Sequence, residues 1–298
     1  MSSVLRRMRE RNRFELKYLI TREQAERLKV ALAATMVPDT NGKRDGHYTV
    51  ASLYYDSPDL RCYREKEAGI KFRRKLRIRL YGTGDVVTEE TPVFVEIKQR
   101  IDRVTQKRRA MLPYAEALRL CQDRQMPDLA PENEAVIEEI YEFLWRYNLR
   151  PASIVRYERH ALAGADYDIG LRVTFDTFLS CQCWPLHLHE PPSGLPMLPP
   201  NLVVLEIKVN ERVPYWLVDL IAAHNLQSVP YSKYSRGIEL GETLSSRAYR
   251  HLPAERSEDV LSTAPSVLEI PRPFSQPSLN DGNRRARRHA STREGLMG

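Results

Sequence analysis

Five stretches of the chain place charged side chains at alternate positions with apolar ones between them: Glu15-Leu16-Lys17, Lys75-Leu76-Arg77-Ile78-Arg79, Glu96-Ile97-Lys98, Arg172-Val173-Thr174-Phe175-Asp176 and Glu206-Ile207-Lys208. Successive side chains of an extended chain leave opposite faces, so each stretch predicts a strand with one ionic face and one apolar face. Taken singly, such a face is usually the solvated side of a sheet. The set asks for more. Lys71, Arg73, Lys75, Arg77 and Arg79 share one face of one strand, where like charges two apart repel unless anions lie between them. The residues on the opposite faces, among them Leu76, Ile78, Val95, Ile97, Val173, Phe175, Leu205 and Ile207, need helices to cover them.

If the ionic faces converge, cations and carboxylates line one surface together, which suits a metal-bound polyphosphate. Phosphates need Lys and Arg on several strands, with Arg able to grip two oxygens at once. A divalent cation bridging phosphates wants carboxylate oxygens. Lys17, Lys75, Arg77, Arg79, Lys98, Lys107, Arg109, Arg159, Arg172, Lys208 and Lys233 are the candidate phosphate ligands. Glu15, Glu96, Asp176 and Glu206 are candidate metal ligands or positioners of those bases.

The elements that must position these residues follow from periodicity. Strands are predicted over 13–20, 47–55, 70–81, 92–99, 103–112, 152–162, 169–177 and 202–210. Helices are predicted from the Thr21/Gln24 capping box to about Met36, from Asp56 to about Glu67, over 113–122 and 132–148, and from near Pro214 to about Asn225. The pattern is α+β, with about eight strands in a closed antiparallel β-barrel whose ionic faces turn inward as a tunnel while helices cover the outside. Residues 1–11 read as a flexible lead, 12–250 as the folded domain, and 251–298, rich in Pro, Ser and Arg without periodicity, as a disordered basic tail.

Composition narrows the classes. The 298 residues carry a net charge of +7; four arginines stand together in Arg284-Arg285-Ala-Arg287-Arg288, and in the folded part the basic residues are concentrated in particular strands and do not coat the whole surface. That favours a defined anionic site over diffuse binding, and no motif for specific nucleic-acid recognition appears. No apolar run is long enough to span a bilayer and the first residues lack a signal peptide's apolar region, so a cytoplasmic location is expected. Four cysteines give no disulfide framework. Cys181-Gln-Cys183 with His187-Leu-His189 lacks the usual zinc spacing and is interrupted by Pro185, so it reads as a free-thiol surface hairpin.

Further motifs fall in order along the chain: Arg13-Phe-Glu-Leu-Lys-Tyr18, Leu53-Tyr-Tyr-Asp56, Leu76-Arg-Ile-Arg-Leu-Tyr-Gly82, Phe94-Val-Glu-Ile-Lys98, Thr105-Gln-Lys-Arg-Arg109, Tyr157-Glu-Arg159, Leu171-Arg-Val-Thr-Phe-Asp-Thr177, Leu205-Glu-Ile-Lys208 and Tyr231-Ser-Lys-Tyr234. Over about residues 12–240 the ordered set resembles the catalytic domain of the vacuolar transporter chaperone (VTC) polyphosphate polymerases, within the CYTH-like triphosphate tunnel metalloenzyme superfamily. The resemblance implies transfer of the ATP γ-phosphate to a growing inorganic polyphosphate chain, with Mn²⁺ or Mg²⁺ as cofactor. It implies Arg77, Arg79, Lys98, Arg159, Arg172 and Lys233 at the reacting phosphates; Lys17, Lys75, Lys107, Arg109, Lys208 and Ser232 as further phosphate ligands; and Glu206, with Glu96 and Glu15, as metal carboxylates. A hydrolase of triphosphate or short polyphosphate, or a non-catalytic polyphosphate-binding module, are the alternatives. Arg13 departs from the Glu-x-Glu-x-Lys start of the tunnel triphosphatases, which removes one carboxylate and points away from hydrolysis. The sensing domain and membrane helices of the eukaryotic complexes are not in this sequence, so export of product would fall to a membrane-protein partner. Oligomeric state is not legible.

Overall fold

The computed structural model describes residues 14–250, except 41–44, 83–85, 103, 128–132, 166–167, 169, 191–192 and 211, and gives the backbone alone over 243–250. The expected flexible lead, Arg13 and the expected tail from 251 lie outside the described residues. Ten strands form one sheet: β1 (Phe14–Thr21), β2 (Met36–Pro38), β3 (His47–Asp56), β4 (Phe72–Gly82), β5 (Pro92–Ile101), β6 (Val104–Pro113), β7 (Arg150–Gly164), β8 (Arg172–Gln182), β9 (Leu195–Pro196) and β10 (Leu202–Val209). The helices are α1 (Arg22–Leu32), α2 (Arg61–Glu67), α3 (Tyr114–Leu118, continued by a π-helical turn to Asp123), α4 (Glu134–Arg146), α5 (Tyr215–Ala223) and α6 (Lys233–Arg250).

All pairings are antiparallel, in the order β1-β10-β8-β7-β3-β4-β5-β6, with β2 added to β7 and β9 to β8. The eight long strands are those expected from the sequence. The expected closure is not found: among the described residues no ladder joins β1 to β6, the two ends of the order. Another segment takes the edge of β1. Ser228 bridges Tyr18, Val229 N donates to Lys17 O at 2.8 Å, and Lys17 Nζ donates to Tyr231 O at 3.0 Å. Edge groups satisfied this way have no call for a strand partner. The sheet nevertheless curls until its ends approach, for Lys98 of β5 reaches Glu15 of β1 at 2.9 Å.

Alternation does the sorting. Leu76 and Ile78 of β4, with Val95 and Ile97 of β5, are buried with Ile137, Ile140, Phe143 and Leu144 of α4. Val173, Phe175, Leu205 and Ile207 are buried with Ala25, Leu28 and Leu32 of α1 and Leu217 of α5. Each such side chain withdrawn from water contributes on the order of 2 kcal/mol, so both clusters fix which strand face turns inward. α1 starts at the expected capping box: Gln24 N donates to Thr21 Oγ1 at 3.1 Å and Thr21 N to Gln24 Oε1 at 2.9 Å. It stops at Leu32, short of Met36, because Met36–Pro38 pairs with β7 as β2. The expected hairpin after β8 is also replaced: Leu195 returns to pair with Cys181, which is buried, while only Cys183 is exposed.

Candidate active site

The register brings the ionic residues to one face. Glu15 pairs with Lys208, Lys17 with Glu206, Arg159 with Asp176, Arg77 with Glu96, and Lys98 with Lys107. Directly paired residues point the same way, so the charges of seven strands share the inner surface. They form two clusters around buried carboxylates.

On the β4-β5-β6 wall Glu96 is fully buried and accepts from Arg77 Nε at 2.8 Å and Nη2 at 2.6 Å, and from Lys107 Nζ at 3.3 Å. Arg79 and Arg109 each stand 4.0 Å from the same carboxylate. Burial opposes the charge of Glu96, but Arg77, Arg79 and Lys107 more than offset it and hold the group well below the usual carboxylate range.

On the facing wall Asp176 accepts from Arg159 Nε at 2.6 Å and Nη2 at 2.7 Å. Lys233 Nζ lies 2.6 Å from Asp176 and 2.8 Å from Glu206. Glu206 also has Lys208 at 2.7 Å and Lys17 and Arg159 at 3.5 Å. Against the cost of burial, these cations hold Glu206 well below its usual value, and Lys233 is raised by the two carboxylates beside it. Lys208 shares Glu206 with three other cations, so desolvation prevails and lowers it to about 7. Glu15 bridges the walls through Lys98 and lies 4.0 Å from Lys17.

Three cations make contacts beyond these clusters. Lys75 donates to Ser232 Oγ at 3.2 Å and lies 4.8 Å from the Tyr234 ring centroid; burial lowers it to about 8. Arg79 donates to Ser52 Oγ at 3.0 Å and to the Tyr157 hydroxyl at 3.4 Å. Arg172 lies 2.6 Å from Asp39 and donates to the Tyr48 hydroxyl at 2.7 Å. Every site residue expected from the sequence thus lies on the inner surface or at the start of α6, and among the described residues the eleven cations share Glu15, Asp39, Glu96, Asp176 and Glu206.

The three carboxylates expected to hold metal do not stand as one group. Glu96 belongs to one cluster and Glu15 and Glu206 to the other, and among the described residues no three His, Cys, Asp or Glu side chains gather at metal-binding distance. The His187 and His189 rings lie tilted to one another with centroids 5.4 Å apart and take no part in such a group with Cys181 and Cys183.

Charge alternation alone misses β3. Tyr48, Ser52 and Tyr54 are inward hydroxyls at even positions, each meeting one arginine; Tyr54 accepts from Arg77 Nη1 at 3.2 Å. A search for alternate hydroxyls would have found them.

The VTC domain model matches residues 12–241. No curated protein matches the chain. Among solved structures, a Bacillus halodurans protein named as an adenylate cyclase is 15% identical with a TM-score of 0.44, over 74% of this chain and 92% of that one. A Pyrococcus horikoshii protein is 14% identical with a TM-score of 0.40, over 79% of this chain and 99% of that one. A Hippeastrum protein, described as having a dominant triphosphatase activity, is 12% identical with a TM-score of 0.41, over 82% of this chain and 99% of that one. The family match spans every site residue described above, from Glu15 to Lys233, and the chain belongs to the VTC domain family.

Proposed function

We propose that this chain is a polyphosphate polymerase that moves the γ-phosphate of ATP onto the end of an inorganic polyphosphate chain. The observation that carries this reading is the surplus of cations on one inner surface, eleven beside five carboxylates, within a VTC domain. Enclosed positive charge in excess requires an anion, and a phosphate chain offers charge at regular intervals. Transfer would proceed by attack of a terminal polyphosphate oxygen on the γ-phosphorus, with the bond to the β–γ bridging oxygen breaking and ADP leaving with that electron pair. Such a reaction asks for positioning and charge stabilisation more than a protein nucleophile. The thiols agree: burial raises Cys121 to about 12 and Cys181 to about 11, keeping both protonated.

The roles follow from the partners. Arg77 and Arg159, each doubly bonded to a carboxylate, are held in fixed orientation, whereas Arg79 and Lys75 face only hydroxyls at close range and are the readiest to take phosphate oxygens. Glu206 and Glu15 fit a divalent cation: both are ionised hard-oxygen donors, and both already flank one cationic centre, the ammonium of Lys17. Bound there, Mn²⁺ or Mg²⁺ would neutralise charge on the transferred phosphate. Incubation of the purified protein with ATP and Mn²⁺, followed by gel analysis, tests the reading: long polyphosphate is expected. Release of orthophosphate without polymer would replace the polymerase by a hydrolase, and no turnover would leave a binding module.

A further inference from the structure

Three hydroxyls on β3 stand where the proposed reaction needs neutral donors. Tyr48, Ser52 and Tyr54 are buried on the inner face, and each accepts one N–H from a cation: Arg172 Nη2 to Tyr48 at 2.7 Å, Arg79 Nε to Ser52 at 3.0 Å, Arg77 Nη1 to Tyr54 at 3.2 Å. A hydroxyl has one hydrogen and two lone pairs. Once the arginine has filled a lone pair, the hydrogen remains to be placed, and among the described residues none of the three finds an acceptor for it. Buried hydroxyl hydrogens without partners are uncommon.

The positions are well held. Ser52 and Tyr54 lie directly opposite Arg79 and Arg77 in the β3–β4 ladder. The Tyr54 ring packs on that of Tyr234, with centroids 5.0 Å apart, and the Tyr234 hydroxyl is tied to the buried Asp56. The neutral character matters because Arg77 and Arg79 already crowd this wall, and a further cation would add repulsion. A hydroxyl adds a donor without adding charge.

We propose that Tyr48, Ser52 and Tyr54 form a hydroxyl ladder that donates hydrogen bonds to oxygens of a bound phosphate chain while each orients the arginine beside it. This rests on reading the inner surface as a phosphate-chain site. The arrangement makes each arginine and its hydroxyl a two-donor unit, one charged and one neutral, and three such units lie along one strand. Burial alone would raise the Tyr54 phenol, but Arg77 and Arg79 more than offset it and bring the group to about 7; a phosphate chain alongside neutralises those arginines and favours the protonated phenol, which can donate.

Binding of tripolyphosphate to the full-length protein, by calorimetry over a range of salt, tests the ladder. Tyr54→Phe keeps the ring on Tyr234 and removes one oxygen. It is expected to weaken binding about tenfold or more, as for one hydrogen bond to a charged acceptor, with the slope of log Kd against log salt unchanged because no cation is lost. Ser52→Ala should act in the same direction. Tyr55→Phe, one residue along on the opposite face, should bind as wild type. Where Tyr54→Phe fails to fold, Tyr48→Phe carries the same measurement at the other end of the strand. Unaltered affinity in the folded ladder variants would overturn the proposal and reduce the hydroxyls to braces for the arginines. A wild-type protein that binds no tripolyphosphate would overturn both the ladder and the reading of the site on which it rests.

Discussion

Glu206 gathers four cations, Lys17, Arg159, Lys208 and Lys233, around one buried carboxylate. Its removal should therefore separate charge from catalysis. Glu206→Gln is expected to abolish metal-dependent turnover while polyphosphate binding persists, because the cationic lining remains; Mn²⁺ titration of activity beside a binding isotherm checks this. Parallel loss of both would make Glu206 a structural counter-ion. The lysines give the site a pH response. Lys208 discharges as pH rises through about 7 and Lys75 through about 8. An anion prefers both charged, so affinity for polyphosphate should fall as pH rises across that window. Lys208→Arg, charged throughout, should move the fall upward toward the value of Lys75; binding isotherms at stepped pH read it directly.

At the scale of elements, the eight long strands and the inward turn of their ionic faces were legible because alternation is local and strong. Arg77 illustrates the logic: a charged residue between Leu76 and Ile78 can satisfy that pattern only if one face is apolar and the other ionic. What was not legible depends on contacts distant in sequence. The edge of β1 looks free to pair, and nothing near Glu15 or Lys17 announces that Ser228 to Tyr231 will occupy it. The helix beginning at Lys233 was likewise missed, although Tyr234 and Ile238, four apart and both buried, mark an apolar face that a search at helical spacing would have found. The Lys98–Glu15 pair that spans the open edge makes a quantitative prediction. Lys98 and Lys17 hold Glu15 below its usual value near 4.5 despite burial, so its stabilising contribution is present above that value and is lost as pH falls through the lower folded value. Glu15→Gln should cost about 2 kcal/mol at neutral pH, between the values for surface and buried pairs. In denaturant titrations the gap from wild type should narrow as pH is taken below about 4.

For the whole molecule, every residue assigned to the site precedes α6 or lies in its first turn, whereas residues 253–298 carry Pro265, Pro271, Pro273 and Pro277 and no apolar period. Deleting 253–298 is therefore expected to leave the melting temperature and ATP-dependent activity unchanged, as calorimetry and a turnover assay would show. A truncated protein that melted several degrees lower would give the tail a structural role. No helix among the described residues is long and apolar enough to cross a membrane. The segment that occupies the β1 edge also sets the order in which the protein can be completed. Lys17 is 214 residues from the Tyr231 carbonyl that it meets, and Ser232 and Lys233 enter the site directly after that contact. Such distant closure forms slowly and late. A chain emerging from the ribosome thus exposes its most basic strand, β4, long before Asp176, Glu206 and Lys233 exist to complete the surface, so the nascent protein spends much of its synthesis as an unfinished polycation whose inner surface is completed only when α6 arrives.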